Sequence, residues 1–342
     1  MSDLSSLDPT AASRKSDHIE MALANQVPAH VLDRRFYYEP LLAAHPSGAL
    51  PETPFLDKRL RAPLWVSSMT GGTALANTIN HNLARACAEF GMGMGLGSCR
   101  QLLYDDQYLR DFDVRDTIGA SQPLFANLGV AQIEQLGAQK ETGRIGDLVR
   151  KLRADGLIIH INPFQEALQP EGDRFSHAPL EWVEAVLAEY DFPVIVKEVG
   201  QGFGPESLKK LLELPLAAIE FAAGGGTNFA LIELLRSDIL RKEAFESLAR
   251  TGHSAAEMLD WVNHTVNALG RHEIKTRHLI ISGGIQDFLD GYYLTQKSVL
   301  PAVYGQAGAF LRHARGDYDA LKKYTETQIE GLKLAHAYLR CR

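Results

Sequence analysis

Between residues 64 and 310 the chain alternates two patterns: short apolar runs rich in β-branched residues, and longer stretches whose apolar positions recur every three or four residues. The first pattern fits strands and the second fits amphipathic helices, so their alternation predicts βαβ units. The eight short runs are LWVSSM (64–69), GMGMGLG (91–97), PLFANLG (123–129), GLIIHIN (156–162), PVIVKEVG (193–200), LAAIEFAAG (216–224), HLIISGG (278–284) and AVYGQAGAF (302–310). Between them, ANTINHNLARACAEF (76–90), PLEWVEAVLAEY (179–190) and PESLKKLLEL (205–214) carry helical spacing. Eight strands alternating with helices predict an α/β fold, a (β/α)8 TIM barrel. The alternative is an open doubly wound sheet, but its phosphate fingerprint follows an early strand, and here glycine-rich exits crowd the late strands as well.

Residues 1–62 break the pattern, with Pro28, Pro40, Pro46, Pro51, Pro54 and Gly48, and helical propensity only around HIEMALANQ (18–26). They are expected to form an N-terminal extension packing on the barrel or on a neighbouring subunit. The barrel then occupies residues 63–342 and ends in a closing helix within YDALKKYTETQIEGLKLAHAYLR.

Composition narrows the function. A chain of 342 residues, 45% hydrophobic, can bury a sizeable core, and its formal charge of −7 offers no global basic field for nucleic acid or acidic lipid. An anionic ligand must be held by a local site. Cys87, Cys99 and Cys341 lack the spacings of a zinc site or a disulfide framework, which suits a reducing compartment. The start, MSDLSSLDPTAASRKSDH, has no apolar signal region, and no stretch reaches the roughly 18 apolar residues of a membrane span. A cytoplasmic protein without membrane or nucleic-acid partners is expected.

In a barrel the chemistry sits at the carboxyl ends of the strands. Those exits are polar or glycine-rich almost throughout: Ser67-Ser68-Met69-Thr70-Gly71-Gly72, Gly97-Ser98-Cys99-Arg100, Asn127-Leu128-Gly129, Lys197-Glu198-Val199-Gly200, Gly224-Gly225-Gly226-Thr227-Asn228, Ser282-Gly283-Gly284 and Gln306-Ala307-Gly308. Glycines after the seventh and eighth strands sit where many barrels bind phosphate through backbone N–H groups. Glycine also serves ordinary turns, and only the agreement of both positions favours the phosphate reading. Lys197 on a buried strand is costly without a partner, and alternation turns it away from Glu198, so it is expected in the barrel mouth. Arg14, Lys15 and His18 form a basic cluster that also fits a plain solvated patch, whereas Arg100 leaves a strand beside Ser98. Arginine there can contact a diphosphate bidentately. After the fourth strand, HINPFQEALQPEGDRF (160–175) places His160 and Asn162 on one face, followed by Gln165 and Glu166. Glu166 is a carboxylate suited to Mg²⁺, with a polar surface loop as the alternative.

Taken together, these motifs resemble the type 2, flavin-dependent isopentenyl diphosphate isomerases. The likeness runs through RKSDHIEMAL, PFLDKRLRAPLWVSSMTGGT, GLGSCR, HINPFQEALQPEGDRF, PVIVKEVGQGFG, AGGGTNFALIE and ISGGI, from about residue 14 to 290. It implies a homotetramer or homo-octamer that interconverts isopentenyl and dimethylallyl diphosphate, using reduced FMN, Mg²⁺, and NADPH or another reductant. By position, Met69, Thr70, Gly71, Ser98, Asn127, Lys197 and Thr227 would contact FMN, with Gly284, Ile285, Gln286, Ala307 and Gly308 around its phosphate. Arg14, Lys15, Ser98, Arg100, His160, Asn162 and Gln165 would hold the prenyl diphosphate, and Glu166 the metal. The resemblance implies catalytic roles for His160, Gln165 and Lys197. The chain departs from the family pattern at Cys99 (usually glutamine), Asn228-Phe229 (Ser-Trp) and Gln286 (arginine). It also departs after residue 290, where LTQKSVLPAVYGQAGAF carries a small insertion.

Moving the double bond needs a proton added at one carbon and removed two carbons away, with no net redox change. Gln165 is an amide, too weak a base alone, and is expected to orient or relay that proton. Two alternatives remain at this level: a flavin-dependent oxidoreductase on the same barrel, to which Cys99 would point, and a non-catalytic flavin- or phosphate-binding barrel.

Overall fold

Eight parallel strands close into a barrel in the computed structural model, which describes residues 10–70 and 74–342. The strands are β1 (Leu64–Val66), β2 (Gly93–Gly95), β3 (Leu124–Gly129), β4 (Gly156–His160), β5 (Val194–Lys197), β6 (Ala218–Glu220), β7 (His278–Ser282) and β8 (Ala302–Gln306), with β8 pairing β1 to close the ring. Each lies inside one of the eight apolar runs, so the chain forms the (β/α)8 barrel its patterning predicts. Helices Ala74–Phe90, Pro179–Glu189 and Pro205–Leu212 occupy three predicted segments, and the closing helix is Tyr318–Tyr338. None of the described helices is long and apolar enough to cross a membrane.

Alternation along the strands divides the barrel interior into two levels. Trp65, Phe125, Ile158, Ile195, Ala218, Ile280 and Val303 form one buried apolar cluster inside the barrel. Two residues further along the same strands stand Ser67, Asn127, His160, Lys197, Glu220, Ser282 and Gly305, so every inward position of the upper level is polar or glycine. The glycines of GMGMGLG find their reason here. A Cβ on Gly93 would stand 2.5 Å from the Trp65 ring, and one on Gly97 2.2 Å from the Thr70 carbonyl oxygen. Met92, Met94 and Leu96 take the alternate positions and pack outward into the helical layer.

The lower level is sealed by a hairpin, Thr53–Phe55 against Lys58–Leu60, from the stretch read as an extension. Its turn places Leu56 and Asp57 at φ 51° and 59°, and its Phe55, Leu56 and Leu60 join the inner cluster. Further upstream, Phe36–Tyr38 pairs antiparallel with Leu339–Cys341, tying the chain's two ends together. That strand pair has no signature in the apolar patterning. The N-terminal helix runs Ala11–Ala22, beginning before the segment expected at 18–26 and ending within it.

Asp155 fastens the barrel's lower rim. Its Oδ1 accepts from Lys58 Nζ (2.8 Å), and its Oδ2 from Arg115 Nη2 (2.9 Å) and the Leu124 N–H (2.8 Å). Burial pushes this carboxyl up, but Lys58, the Leu124 N–H and Arg115 outweigh it and hold it below the usual range. A depressed carboxyl contributes stability above its unfolded pKa of about 3.9, and loses it as pH falls through the lower folded value. Asp155→Asn should therefore cost about 2 kcal/mol at pH 7 in denaturant melts, with the gap to the native protein narrowing below about pH 4. An equal gap at pH 3 and pH 7 would show that the charge contributes nothing.

Candidate active site at the carboxyl end of the barrel

A cleft of about 310 Å³ opens above β5 to β8 and β1, with Lys197, Glu220, Ser282, Ser67 and Met69 in its wall and Gly226, Gly283, Gly284 and Gly308 at its rim. Lys197 is buried, and its Nζ donates to the main-chain oxygen of Glu198 (2.8 Å). The Glu198 carboxylate turns the other way, as alternation requires. Its Oε2 accepts from the N–H groups of Gly200 (2.7 Å), Gln201 (2.6 Å) and Gly202 (2.9 Å), which fixes the exit of β5.

His160 pairs with Lys197 across the β4–β5 ladder, and Lys197 with Glu220 across β5–β6, so the three sit at one height. Asn127 Nδ2 donates to Leu96 O (3.0 Å), which leaves its Oδ1 to face His160 Nδ1 (2.8 Å). That arrangement assigns the ring proton to Nδ1 and leaves Nε2 as an acceptor. Burial, then the charges of Lys197 and Arg100, push the imidazole down to about 3. The ring is therefore neutral at physiological pH.

The stretch after β4 folds back on itself. Asn162 Nδ2 donates to Gln165 Oε1 (3.1 Å) and to Glu166 Oε1 (2.9 Å), while Glu166 Oε2 accepts from the Asp173 N–H (2.8 Å). Arg174 Nη1 donates to Glu166 O (2.6 Å), so the loop from Glu166 to Arg174 is pinned to the short helix Pro163–Leu168. Asn162 and Glu166 are buried, and Gln165 is half-buried. Asn162 Oδ1 has no hydrogen-bond partner among the described residues.

The structure thus brings together two sets of the sequence-derived residues. Met69, Lys197, Thr227, Gly284, Ile285, Gln286, Ala307 and Gly308 line the cleft. His160, Asn127, Asn162, Gln165 and Glu166 gather beside it, and Arg100 and Lys197 are near enough for their charges to disfavour protonation of the His160 ring. Thr70 packs its backbone against Gly97, next to the half-buried Ser98. Arg14 and Lys15 lie on the exposed helix Ala11–Ala22 and are not among the cleft's lining residues. Gly71 lies outside the described residues. Two charged lining residues escape the sequence reading. Glu220 carries the same signal as Lys197, a charge at an inward position of an apolar strand. Arg312, four residues beyond Gly308, follows the point where the motif match fades.

No protein-family model matches the chain. Among characterised proteins, the isopentenyl-diphosphate delta-isomerase of Rickettsia africae (strain ESF-5) is 34% identical over 332 residues, covering 94% of this chain and 91% of the relative. That of Rickettsia typhi (strain ATCC VR-144 / Wilmington) is 32% identical over 327 residues, with 94% and 91% covered. The chain belongs to the isopentenyl-diphosphate delta-isomerase family. Among solved structures, a mandelate oxidase variant with the monooxide FMN adduct matches with a TM-score of 0.55 at 14% identity, covering 96% of this chain and 95% of that one. A likeness at that identity speaks for the shared barrel alone.

In this member of the isomerase family, the electrostatics around His160 have a testable sign. The unfolded ring titrates near 6.5 and the folded one at about 3, so the unfolded state binds more protons between those values and stability rises with pH across that window. In an NMR titration, the ring signal lost in His160→Asn should show no inflection between pH 5 and pH 8. An inflection near pH 6.5 would mean the ring is solvated and apart from Lys197 and Arg100.

Proposed function

We propose that this isomerase interconverts isopentenyl and dimethylallyl diphosphate in the cytoplasm with FMN in the cleft above β5 to β8. Mg²⁺ on the diphosphate, and NADPH or another reductant to keep the flavin reduced, belong to the same proposal. The observation that carries it is the cleft itself: a buried lysine in its wall, a glycine rim over β7 and β8, and a neutral histidine and an anchored glutamine beside it.

The residues present fit the cofactor. A Cβ on Gly283 would stand 2.1 Å from Ala223 O, and one on Gly226 3.3 Å from Gly284 N, so the β6 and β7 exits pack backbone to backbone at the rim. Such a rim lets main-chain N–H groups approach an anion. Gly284, Ile285, Gln286, Ala307 and Gly308 would surround the phosphate, with Arg312 adding the charge that Gln286 lacks. Met69, Thr70, Ser98, Asn127, Lys197 and Thr227 would hold the remainder. Reduced flavin, when bound, supplies exchangeable protons and an electron-rich ring. The metal fits less directly: no group of three or more metal-ligating side chains occurs among the described residues. Both Glu166 oxygens already accept one hydrogen bond, yet each keeps a further lone pair. One carboxylate with water and diphosphate oxygens is an ordinary Mg²⁺ shell.

The chain's own contribution is position and charge. Arg100, with Arg14 and Lys15, would neutralise the diphosphate. His160 offers a neutral hydrogen-bonding ring held by Asn127. Asn162 fixes the Gln165 amide through its Oε1, leaving its NH₂ to orient the substrate or relay the departing proton. Several copies are expected to assemble, which the exposed Leu23 (82%), Leu41 (94%) and Leu42 (68%) of the N-terminal region support.

An oxidoreductase on this barrel would need a nucleophilic thiol or a His–Asp pair. Burial pushes the Cys99 thiol up to about 12, and its Sγ donates to Gly97 O (3.2 Å), while the Nδ1 partner of His160 is an amide. A protonated, buried thiol is a poor nucleophile.

Purified protein supplied with FMN, Mg²⁺ and dithionite should convert isopentenyl diphosphate over many turnovers per reducing equivalent. Conversion that consumes reductant stoichiometrically would favour an oxidoreductase, and bound flavin without conversion a non-catalytic barrel. Gln165→Asn should lower kcat on the order of a hundred-fold while FMN stays bound. Wild-type turnover in that variant would remove Gln165 from the mechanism.

A further inference from the structure

Among the described residues, three buried hydrogen-bonding atoms in the wall of the cleft have no partner: Ser67 Oγ, Ser68 Oγ and Glu220 Oε2. Glu220 is fully buried, and among the described residues its carboxylate takes part in one hydrogen bond, a long one from Ser282 Oγ to Oε1 (3.3 Å). Ser282 Oγ itself accepts from the Ala222 N–H (2.9 Å). A Cβ on Gly305 would stand 2.6 Å from Ser67 Oγ and 2.9 Å from Ser282 Cβ, so Ser67, Gly305, Ser282 and Glu220 form one continuous row across β1, β8, β7 and β6. A carboxylate oxygen left unpaired in such a place is costly, and a hydrogen-bond donor brought into the cleft relieves that cost.

The chemistry of the row narrows that donor. Lys197, next to Glu220 in register, has its Nζ on Glu198 O and does not reach the free oxygen. Its charge also opposes a cation at the same spot. A hydroxyl group is neutral, donates to a carboxylate, and accepts from a serine O–H at the same time. A chain of hydroxyls therefore satisfies Glu220 and the serines together.

We propose that Glu220, with Ser67, is the polyol-binding rail of the cleft and holds the hydroxyl-bearing chain of its occupant. Resting on the FMN reading above, this assigns the ribityl chain to the row, with Glu220 as the acceptor that anchors it.

Equilibrium binding of FMN, riboflavin and lumiflavin, which lacks the hydroxyl chain, to the flavin-free full-length protein tests this. Glu220→Leu should weaken FMN and riboflavin by about ten-fold or more and leave lumiflavin unchanged. Glu220→Gln, which keeps a carbonyl acceptor, should lose less, and Ser67→Ala should weaken the same two ligands and not the third. Thermal melts of each variant show whether it is folded, and if Glu220→Leu is not, Glu220→Gln and Ser67→Ala decide. Equal losses for all three flavins, or none, would overturn the assignment while leaving the FMN reading intact. Failure of the unaltered protein to bind any of the three would sink both.

Discussion

The structure depends on one constraint, the two-residue period of β side chains inside a closed barrel. Six of the strands send a branched aliphatic or aromatic residue into the lower level, β2 and β6 a glycine and an alanine, and two residues later each sends a polar residue or glycine into the upper level. Trp65, Phe125, Ile158, Ile195 and Ile280 are fully buried in the lower level, and each such side chain contributes about 1.5–3 kcal/mol of burial. That apolar level, sealed from below by the Phe55–Leu60 hairpin, lets the upper level hold Asn127, His160, Lys197 and Glu220 away from bulk water.

Low dielectric strengthens the interactions that buried polar groups make. Lys197 stands between His160 and Glu220, and burial, then the charges of Lys197 and Arg100, keep the imidazole neutral. Asn127 orients the ring, and Leu96 O orients Asn127. The groups are held in advance of any ligand, which is the form of organisation that positioning catalysis requires. Among the described residues, Glu220 Oε2 and the hydroxyls of Ser67 and Ser68 have no hydrogen-bond partner, which is what the proposed polyol rail rests on.

Most of this architecture was legible in the chain because it follows from spacing. The eight strands fall within their apolar runs, and Lys197 could be placed in the mouth because a buried lysine at an inward position has nowhere else to go. Glu220 obeys the same rule and was open to the same argument. Other features depend on distant partners and leave no local signature. The pairing of Phe36–Tyr38 with Leu339–Cys341 joins opposite ends of the sequence. Inclusion of the 53–60 hairpin in the barrel interior depends on residues from seven strands. The internal bonds of Glu166, to Asn162 Nδ2 and the Asp173 N–H, follow from how the loop returns, which composition does not encode.

A crystal structure of the full chain with FMN is the most direct test of whether the polar upper level is the functional site. The account requires the flavin in the cleft walled by Lys197 and Glu220, with its phosphate at the glycine rim of β7 and β8. Flavin bound elsewhere, such as in the apolar groove between helices Pro179–Glu189 and Pro205–Leu212, with the upper level unchanged, would contradict it.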